Sequence, residues 1–200
     1  MGYTEEKTGG QAGRSPGEGK DGKTMKLLLT RHGETEWNRT NRVLGRTDEP
    51  LNEKGLRQAE ELVERLRGAE LRAVYASPLE RAARIGRMVA EDHGLVCRTD
   101  PRLIEMDFGS VEGCQRDDPA YLAEKGKLLA RYPGGESYFD AAARVYPFLE
   151  ELKRARGDGA VLVVTHNGIC RMVASYFRDM TEAEFISFSM KNCEVRTFEL

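Results

Sequence analysis

The sequence predicts a three-layer α/β/α fold with a mostly parallel central sheet and an antiparallel edge strand. Short apolar runs alternate along the chain with longer segments of helical periodicity, which is typical of a sheet covered by helices on both faces. The last run, at residues 194–199, instead alternates apolar and polar side chains, as expected of a strand at the edge of a sheet. The fold class follows from these two patterns.

The predicted strands are short and mostly aliphatic. Runs of uncharged aliphatic residues such as those at 27–29 and 161–164 indicate strands that are buried on both faces. The predicted strands span residues 27–30, 73–76, 95–98, 160–165 and 194–199.

Helical periodicity fills the gaps between the strands. Asn52 is a favourable N-cap for one helix, and Ser77 with Pro78 at the first helical position starts another. A third helix is predicted over residues 137–156, and a fourth follows the strand at 160–165. Their apolar faces are of the kind that packs against a sheet.

The composition is that of one globular domain. The chain has 200 residues, 40% of them hydrophobic, and a formal charge of −2 from 31 basic and 33 acidic side chains. This balance gives no reason to expect nucleic acid or an anionic membrane as a partner, and no apolar run is long enough to span a bilayer. The four cysteines form no CxxC pair, so reduced thiols in a cytoplasmic protein are the simplest interpretation.

Residues 1–24 are predicted to be a disordered tail or leader in front of a folded domain at residues 25–200. They contain seven glycines and few apolar side chains. Their end matches the GxxxxGK[ST] pattern of a nucleotide-binding P-loop, from Gly17 to Thr24. A working P-loop needs a strand before it and a helix after it, whereas here polar sequence precedes and a strand follows. We therefore interpret the match as accidental.

An arginine and a histidine follow directly on the first predicted strand, in the sequence Arg31-His32-Gly33-Glu34-Thr35. Side chains at the carboxyl end of such a strand face the crevice where ligands bind, and the N-terminus of a following short helix favours anions. A guanidinium can hold two phosphate oxygens, and a neutral imidazole is a nucleophile. A strand-end salt bridge beside a hydrogen-bonded histidine is the alternative interpretation of these residues alone.

A second histidine occupies an equivalent position. His166 and Asn167 follow the strand at 160–165 and again precede a helix. Two of the three histidines therefore end strands of one sheet, which packing alone does not readily explain. The third, His93, precedes Gly94 at a helix end, where an imidazole favours the helix C-terminus, and we interpret it as structural.

Arg81 and a group of carboxylates complete the candidate site. Arg81 lies in the first turns of the helix after the strand at 73–76, in a context similar to that of the two histidines, although most helix-face arginines are simply solvated. Glu105, Asp107 and Glu112 lie in an apolar loop. Such surroundings favour the neutral carboxyl form, which can protonate a leaving oxygen.

Together these residues resemble the histidine phosphatase superfamily, which has the phosphoglycerate-mutase-like fold, over residues 25–200. Asn167 stands where the family often has glycine, and Ser110-Val111 replace an acidic-aromatic pair. The motifs that appear in the family's order are Arg31-His32-Gly33-Glu34-Thr35, Trp37-Asn38, Gly45-Arg46-Thr47-Asp48, Pro50-Leu51, Ser77-Pro78-Leu79-Glu80-Arg81-Ala82, Glu105, Gly135-Glu136-Ser137 and Thr165-His166.

The resemblance implies a metal-independent phosphatase, without a cofactor, that hydrolyses phosphate monoesters of small metabolites through a phosphohistidine. It implies that His32 is the nucleophile and Glu105 the proton donor. The cationic pocket that it implies comprises Arg31, Arg81 and His166, and the implied substrate contacts are Thr35, Asn38, Gly45 and Asn167.

Other functions are weighed against this one. A cofactor-dependent phosphoglycerate mutase is the first alternative, but only residues 114–134 are available to cover its substrate. A catalytically inactive phosphate-binding module would be expected to lack His32 or Glu105. Cysteine-based phosphotyrosine hydrolysis is set aside because no cysteine has an arginine six residues later.

The natural substrate and the oligomeric state are left open. Broad-specificity enzymes, sugar-phosphate phosphatases and α-ribazole phosphatase are all candidates. Specificity is expected to reside in residues 115–132, which are predicted to form a helical lid. This lid carries Arg116, Lys125, Lys127 and Arg131.

Overall fold

The computed structural model describes residues 25–155 and 157–200. The predicted tail at 1–24, with its P-loop-like pattern, lies outside the described residues. The strands of the described part are Lys26–Arg31 (β1), Leu71–Ala76 (β2), Cys97–Thr99 (β3), Ala160–Thr165 (β4) and Val195–Glu199 (β5). Its α-helices are Glu36–Arg39 (α1), Glu53–Leu66 (α2), Glu80–Asp92 (α3), Pro119–Lys125 (α4), Tyr138–Arg154 (α5), Asn167–Phe177 (α6) and Glu182–Ser187 (α7).

The five strands form one sheet in the order β3-β2-β4-β1-β5. The pairs between β1, β2, β3 and β4 are parallel, whereas β5 pairs with β1 in the antiparallel direction at the edge. The predicted fold class is therefore confirmed, including the antiparallel edge strand.

Alternating side chains of the strands divide the core into two layers. On β4, Val161 and Val163 belong to the cluster that includes the buried faces of α5 and α6, whereas Leu162 and Val164 belong to the cluster on α2 and α3. Successive side chains of a strand point to opposite faces of the sheet, so helices cover both faces. This burial accounts for the uncharged sequence of β4, all six residues of which are buried.

Parallel pairing of β1 with β4 places the two histidine-bearing turns side by side. Arg31 is opposite Thr165 in the register, and the backbone N–H of His32 continues the ladder by donating to the Thr165 carbonyl at 2.9 Å. Both strands run in the same direction, so His32 and His166 emerge at the same edge of the sheet.

Three predicted boundaries are wrong. The helix expected from Ser77 begins only at Glu80, because the Ser77 hydroxyl accepts the Leu79 N–H at 3.3 Å and Leu79 stays extended. The strand expected at 95–98 begins at Cys97, because the Leu95 N–H still bonds the Ala90 carbonyl at the end of α3. Only Pro119–Lys125 is α-helical in the predicted lid.

No helix in the described ranges is long and apolar enough to cross a membrane.

Candidate active site

His32 lies at the end of β1 with 3% of its surface exposed. Its Nδ1 lies 2.7 Å from the Gly33 carbonyl oxygen, so Nδ1 carries the ring proton and Nε2 keeps its lone pair. Burial, followed by the charges of Arg81 and Arg31, lowers the pKa of His32 well below its ordinary value. The imidazole is therefore neutral near pH 7, in the form that acts as a nucleophile.

His166 lies beside it, with 5.1 Å between the two ring centroids. Its Nε2 is 2.7 Å from the Ser77 Oγ, while its Nδ1 is buried without a hydrogen-bond partner. Since Ser77 already accepts the Leu79 N–H, its own proton is available to Nε2, which leaves the ring proton on Nδ1. Burial and the charge of Arg81 lower the pKa of His166 as well, so this ring is a neutral donor.

Two arginines flank the histidines, one partly exposed and one fully buried. Arg31 donates from Nη1 to the Met190 carbonyl at 2.9 Å, and Arg81 is fully buried. Burial lowers the pKa of Arg81 to about 10, so it keeps its charge at neutral pH. Within the part of the chain that the structure describes, the buried Nε atoms of both arginines have no partner, and neither has Nδ1 of His166. Buried donors are almost always satisfied, so three orphaned donors at one site point to an acceptor anion.

Arg81 and Glu112 hold the loop at residues 45–47 from opposite sides. Arg81 donates to the carbonyls of Gly45 and Thr47 at 2.6 and 2.7 Å. The Glu112 carboxylate accepts the three successive N–H groups of Gly45, Arg46 and Thr47 at 2.7 to 3.2 Å. A Cβ at position 45 would lie 2.7 Å from Glu112 Oε2, so the position requires glycine. The Gly45 amide is thus engaged by Glu112.

Glu105 is buried next to the start of α6. Its Oε1 accepts the Met106 N–H at 2.9 Å, and its Oε2 accepts the Gly168 N–H at 3.2 Å. A Cβ at Gly168 would lie 2.5 Å from Oε1, so a larger residue at this position would displace the Glu105 carboxyl. The charge of Glu105 acts on both Arg31 and Arg81, which places its carboxyl at the same site.

A cavity of about 230 Å³ opens beside Arg31. Thr35 is buried as the N-cap of α1, where its hydroxyl accepts the Asn38 N–H at 3.2 Å. Asn167 has an ordinary helical backbone and accepts the Met190 N–H at 2.9 Å. The side chains that line the cavity are Arg31, Glu34, Asn38, Arg116, Asn167, Ser189 and Asn192.

One of the four predicted lid charges faces this cavity. Arg116 lines it, and its charge contributes to the lowered pKa of Arg31, after burial. Lys127 and Arg131 instead form exposed ion pairs with Glu124 and Asp140. Burial lowers the pKa of Lys125, with further contributions from Arg171 and Arg116.

The structure thus brings Arg31, His32, Arg81, Glu105 and His166 to one edge of the sheet. Thr35 and Gly45 lie beside them as backbone supports, while Asn38 and Asn167 line the cavity.

Three residues support the site in roles that were not predicted from the sequence. Ser77 holds His166, Glu112 holds the 45–47 loop, and Asn192 donates to the His32 carbonyl at 2.8 Å. Ser77 lies in a recognised motif and Glu112 was one of the candidate carboxylates, and these are signals that could have marked them. Asn192 lies in a loop without any motif.

The chain is similar to known proteins along most of its length. The model of the histidine phosphatase superfamily (branch 1) matches residues 27–200. Phosphoserine phosphatase 1 of Hydrogenobacter thermophilus is 32% identical over 177 residues, which cover 84% of this chain and 83% of that protein. A Yersinia pestis protein named "Probable phosphoglycerate mutase GpmB" is 32% identical over 149 residues, covering 71% and 69% of the two chains.

A solved structure shows the same fold. The mycobacterial glucosyl-3-phosphoglycerate phosphatase superimposes with a TM-score of 0.79 at 28% identity, over 88% of this chain and 90% of that one. The chain belongs to the histidine phosphatase superfamily.

Proposed function

We propose that this protein is a metal-independent phosphatase that hydrolyses phosphate monoesters of small metabolites through a phosphohistidine on His32. The observation that carries the proposal is the pair of buried neutral histidines together with three buried donor nitrogens, on Arg31, Arg81 and His166 itself, that have no partner among the described residues. A phosphoryl group supplies the acceptor oxygens that these donors require.

In the first half-reaction, His32 Nε2 attacks phosphorus in line with the ester bond. The new N–P bond forms from the imidazole lone pair, and the ester P–O bond breaks with its electron pair on the leaving oxygen. Glu105 gives its proton to that oxygen. Arg31, Arg81 and His166 stabilise the charge that spreads over the three equatorial oxygens.

In the second half-reaction, water attacks the phosphohistidine. Glu105, now a carboxylate, takes the proton of the water, and the N–P bond breaks with its electron pair returning to His32 Nε2. Inorganic phosphate leaves and Glu105 is protonated again. One carboxyl group therefore serves as acid and then as base, as microscopic reversibility allows.

The cavity favours a small polar substrate. Arg31 and Arg116 supply positive charge, and Asn38, Asn167 and Asn192 supply amide groups around about 230 Å³ of space. A single sugar or acid fits this volume better than a folded protein does. Small phosphorylated metabolites and four free thiols both suit the cytoplasm, which is the compartment that we propose.

Phosphoglycerate mutase activity is the second candidate, because one relative carries that name. A mutase must retain its phosphorylated intermediate while it reorients, which requires the site to be covered. The stretch between Glu105 and Gly135 contains one short 3₁₀ turn and α4, a helix of seven residues. This modest cover favours hydrolysis.

The test is phosphate release from a panel of monoesters in excess EDTA, with His32→Ala purified in parallel. The panel contains p-nitrophenyl phosphate, 3-phosphoglycerate, phosphoserine, glucosyl-3-phosphoglycerate and α-ribazole phosphate. We expect release that survives EDTA and is lost in the variant, and the ranking of kcat/KM identifies the substrate. Conversion of 3-phosphoglycerate to 2-phosphoglycerate without phosphate release would establish the mutase instead. Release that EDTA abolishes would contradict metal independence.

A further inference from the structure

Arg144 of α5 contacts the backbone that carries Glu105. Its Nη1 donates to the carbonyls of Arg102 and Ile104 at 2.6 and 2.7 Å, and its Nη2 lies 3.2 Å from the Glu105 carbonyl. One guanidinium thus holds three of the four carbonyls at residues 102–105. Because the side chain of Glu105 moves with its backbone, these hydrogen bonds limit where the Glu105 carboxyl can point.

Glu136 fixes the guanidinium of Arg144 in turn. Its carboxylate accepts from Nε and Nη2 of Arg144 at 3.2 and 3.0 Å, and it also pairs with Arg46 at 2.6 Å. The Arg46 Nε lies 3.5 Å from the same Glu105 carbonyl. Glu136 additionally accepts the N–H of Asp107 at 3.2 Å. The segment around Glu105 is therefore held on both sides by one carboxylate and two arginines.

Arg144 has no donor left for a substrate. A guanidinium has five N–H groups, and the five contacts of Arg144 go to three carbonyls and to two oxygens of Glu136. Its side chain is 17% exposed. Arg144 differs in this from Arg31 and Arg81, whose buried Nε atoms have no partner.

We infer that Arg144 is the positioning residue for the proton donor Glu105, with Glu136 as its anchor. The inference rests on the proposed phosphatase mechanism and assigns to α5 a part in it. Among the described residues, the hydrogen bonds to the Glu105 carboxyl come from the N–H groups of Met106 and Gly168, so its orientation depends on the course of the backbone. Protonation of the leaving oxygen needs a distance within hydrogen-bond reach, which a small shift of this backbone removes.

The leaving group reports on this role. An alkyl phosphate needs its oxygen protonated as the P–O bond breaks, whereas p-nitrophenolate leaves readily as an anion. We expect Arg144→Gln to lower kcat/KM for the best alkyl monoester of the panel by about 30- to 100-fold, and for p-nitrophenyl phosphate by less than about threefold. The ratio of the two values, taken on one preparation, is independent of the fraction of folded enzyme.

Three further variants complete the experiment. Glu105→Gln defines the signature of a lost proton donor, and Glu136→Gln should shift the ratio in the same direction by a smaller factor. Arg154→Gln removes an exposed arginine from the last turn of the same helix and should leave the ratio unchanged.

Two outcomes would overturn the inference. If Arg144 only stabilises the fold, Arg144→Gln lowers kcat/KM for both substrates by one common factor, and that result would exclude a positioning role. If Arg144→Gln changes neither the ratio of the two kcat/KM values nor the activity itself, Arg144 has neither a positioning nor a fold-stabilising role. Failure of the mechanism itself looks different, because Glu105→Gln would then show no dependence on the leaving group.

Discussion

The ends of β1 and β4 carry chemically similar but oppositely held histidines. Both rings are buried, and burial lowers the pKa of both. His32 is held at Nδ1 by a carbonyl oxygen, which can only accept, so its free Nε2 has a lone pair. His166 is held at Nε2 by a hydroxyl that can donate, so its free Nδ1 has the proton. In the proposed mechanism this difference assigns the two roles: the His32 ring attacks phosphorus, and the His166 ring binds a phosphoryl oxygen.

The largest effect is expected from replacing His32, the attacking ring of the proposed mechanism. His32→Ala removes the nucleophile and should lower kcat by about 10⁴-fold or more. The measurement is phosphohistidine formation, detected after incubation with a phosphoryl-labelled substrate and a rapid quench without acid. The wild type should be labelled and the variant should not. Labelling that persists in His32→Ala would transfer the nucleophile to another residue.

A smaller loss of activity is expected from replacing His166, the ring that is proposed to bind the phosphoryl group. His166→Ala removes one donor to the phosphoryl oxygens, for which about 10²- to 10³-fold in kcat/KM is typical. The variant should still form the phosphohistidine, only slowly, because the Nε2 lone pair of His32 is set by Gly33. A His166→Ala protein that never becomes labelled on long incubation would show that the two rings act as one unit.

Ser77→Ala sharpens the comparison by freeing the held nitrogen of His166, along with the Leu79 N–H that the same hydroxyl accepts. Without the hydroxyl, the proton of His166 can move to Nε2, which turns Nδ1 from a donor into an acceptor facing the phosphate. We expect a loss of about tenfold in kcat/KM, the lower end for a residue that orients another. Unchanged kinetics would mean that the tautomer of His166 is fixed by something other than Ser77.

The smallest effect concerns stability. Both histidines have lowered pKa values in the folded state. Below about pH 6.5 the unfolded chain therefore binds protons that the folded chain does not bind. Stability attributable to each ring is therefore complete at neutral pH and is lost as the pH falls. The free energy of unfolding should therefore decrease between about pH 7.5 and pH 5.5, with both rings contributing to the decrease.

Urea unfolding at the two pH values measures this effect. His32→Gln should reduce the pH dependence by the share of one ring, and a double variant with His166→Gln by the share of both. A wild-type protein whose unfolding free energy is the same at both pH values would contradict the lowered pKa values.

The sequence predicted those features that local pattern determines. The apolar runs located β1 and β4 and hence the two histidines, because consecutive buried side chains leave a strong signal. Asn52 was correctly placed as an N-cap, since its side chain accepts the Gly55 N–H at 2.8 Å. The start of α3 was missed because Ser77 has a long-range partner, His166, in place of a helix to cap.

The residues that support the site could not be predicted from the sequence, for a related reason. Arg144 lies 39 to 42 residues from the carbonyls that it holds, and Arg81 lies 34 and 36 residues from its own. Periodicity reports which face of an element is buried, but it carries no information on the partner of a polar side chain. Such pairs become visible only when the strands have been arranged.

The donation from Asn192 to the His32 carbonyl has a consequence for the time course of biosynthesis. The two residues are 160 positions apart, so His32, the proposed nucleophile, leaves the ribosome long before the amide that supports it. Contacts of such long range form late in folding. A nascent chain that has exposed every residue up to the end of α6 still lacks this support, and activity should therefore appear only once the loop before β5 has emerged.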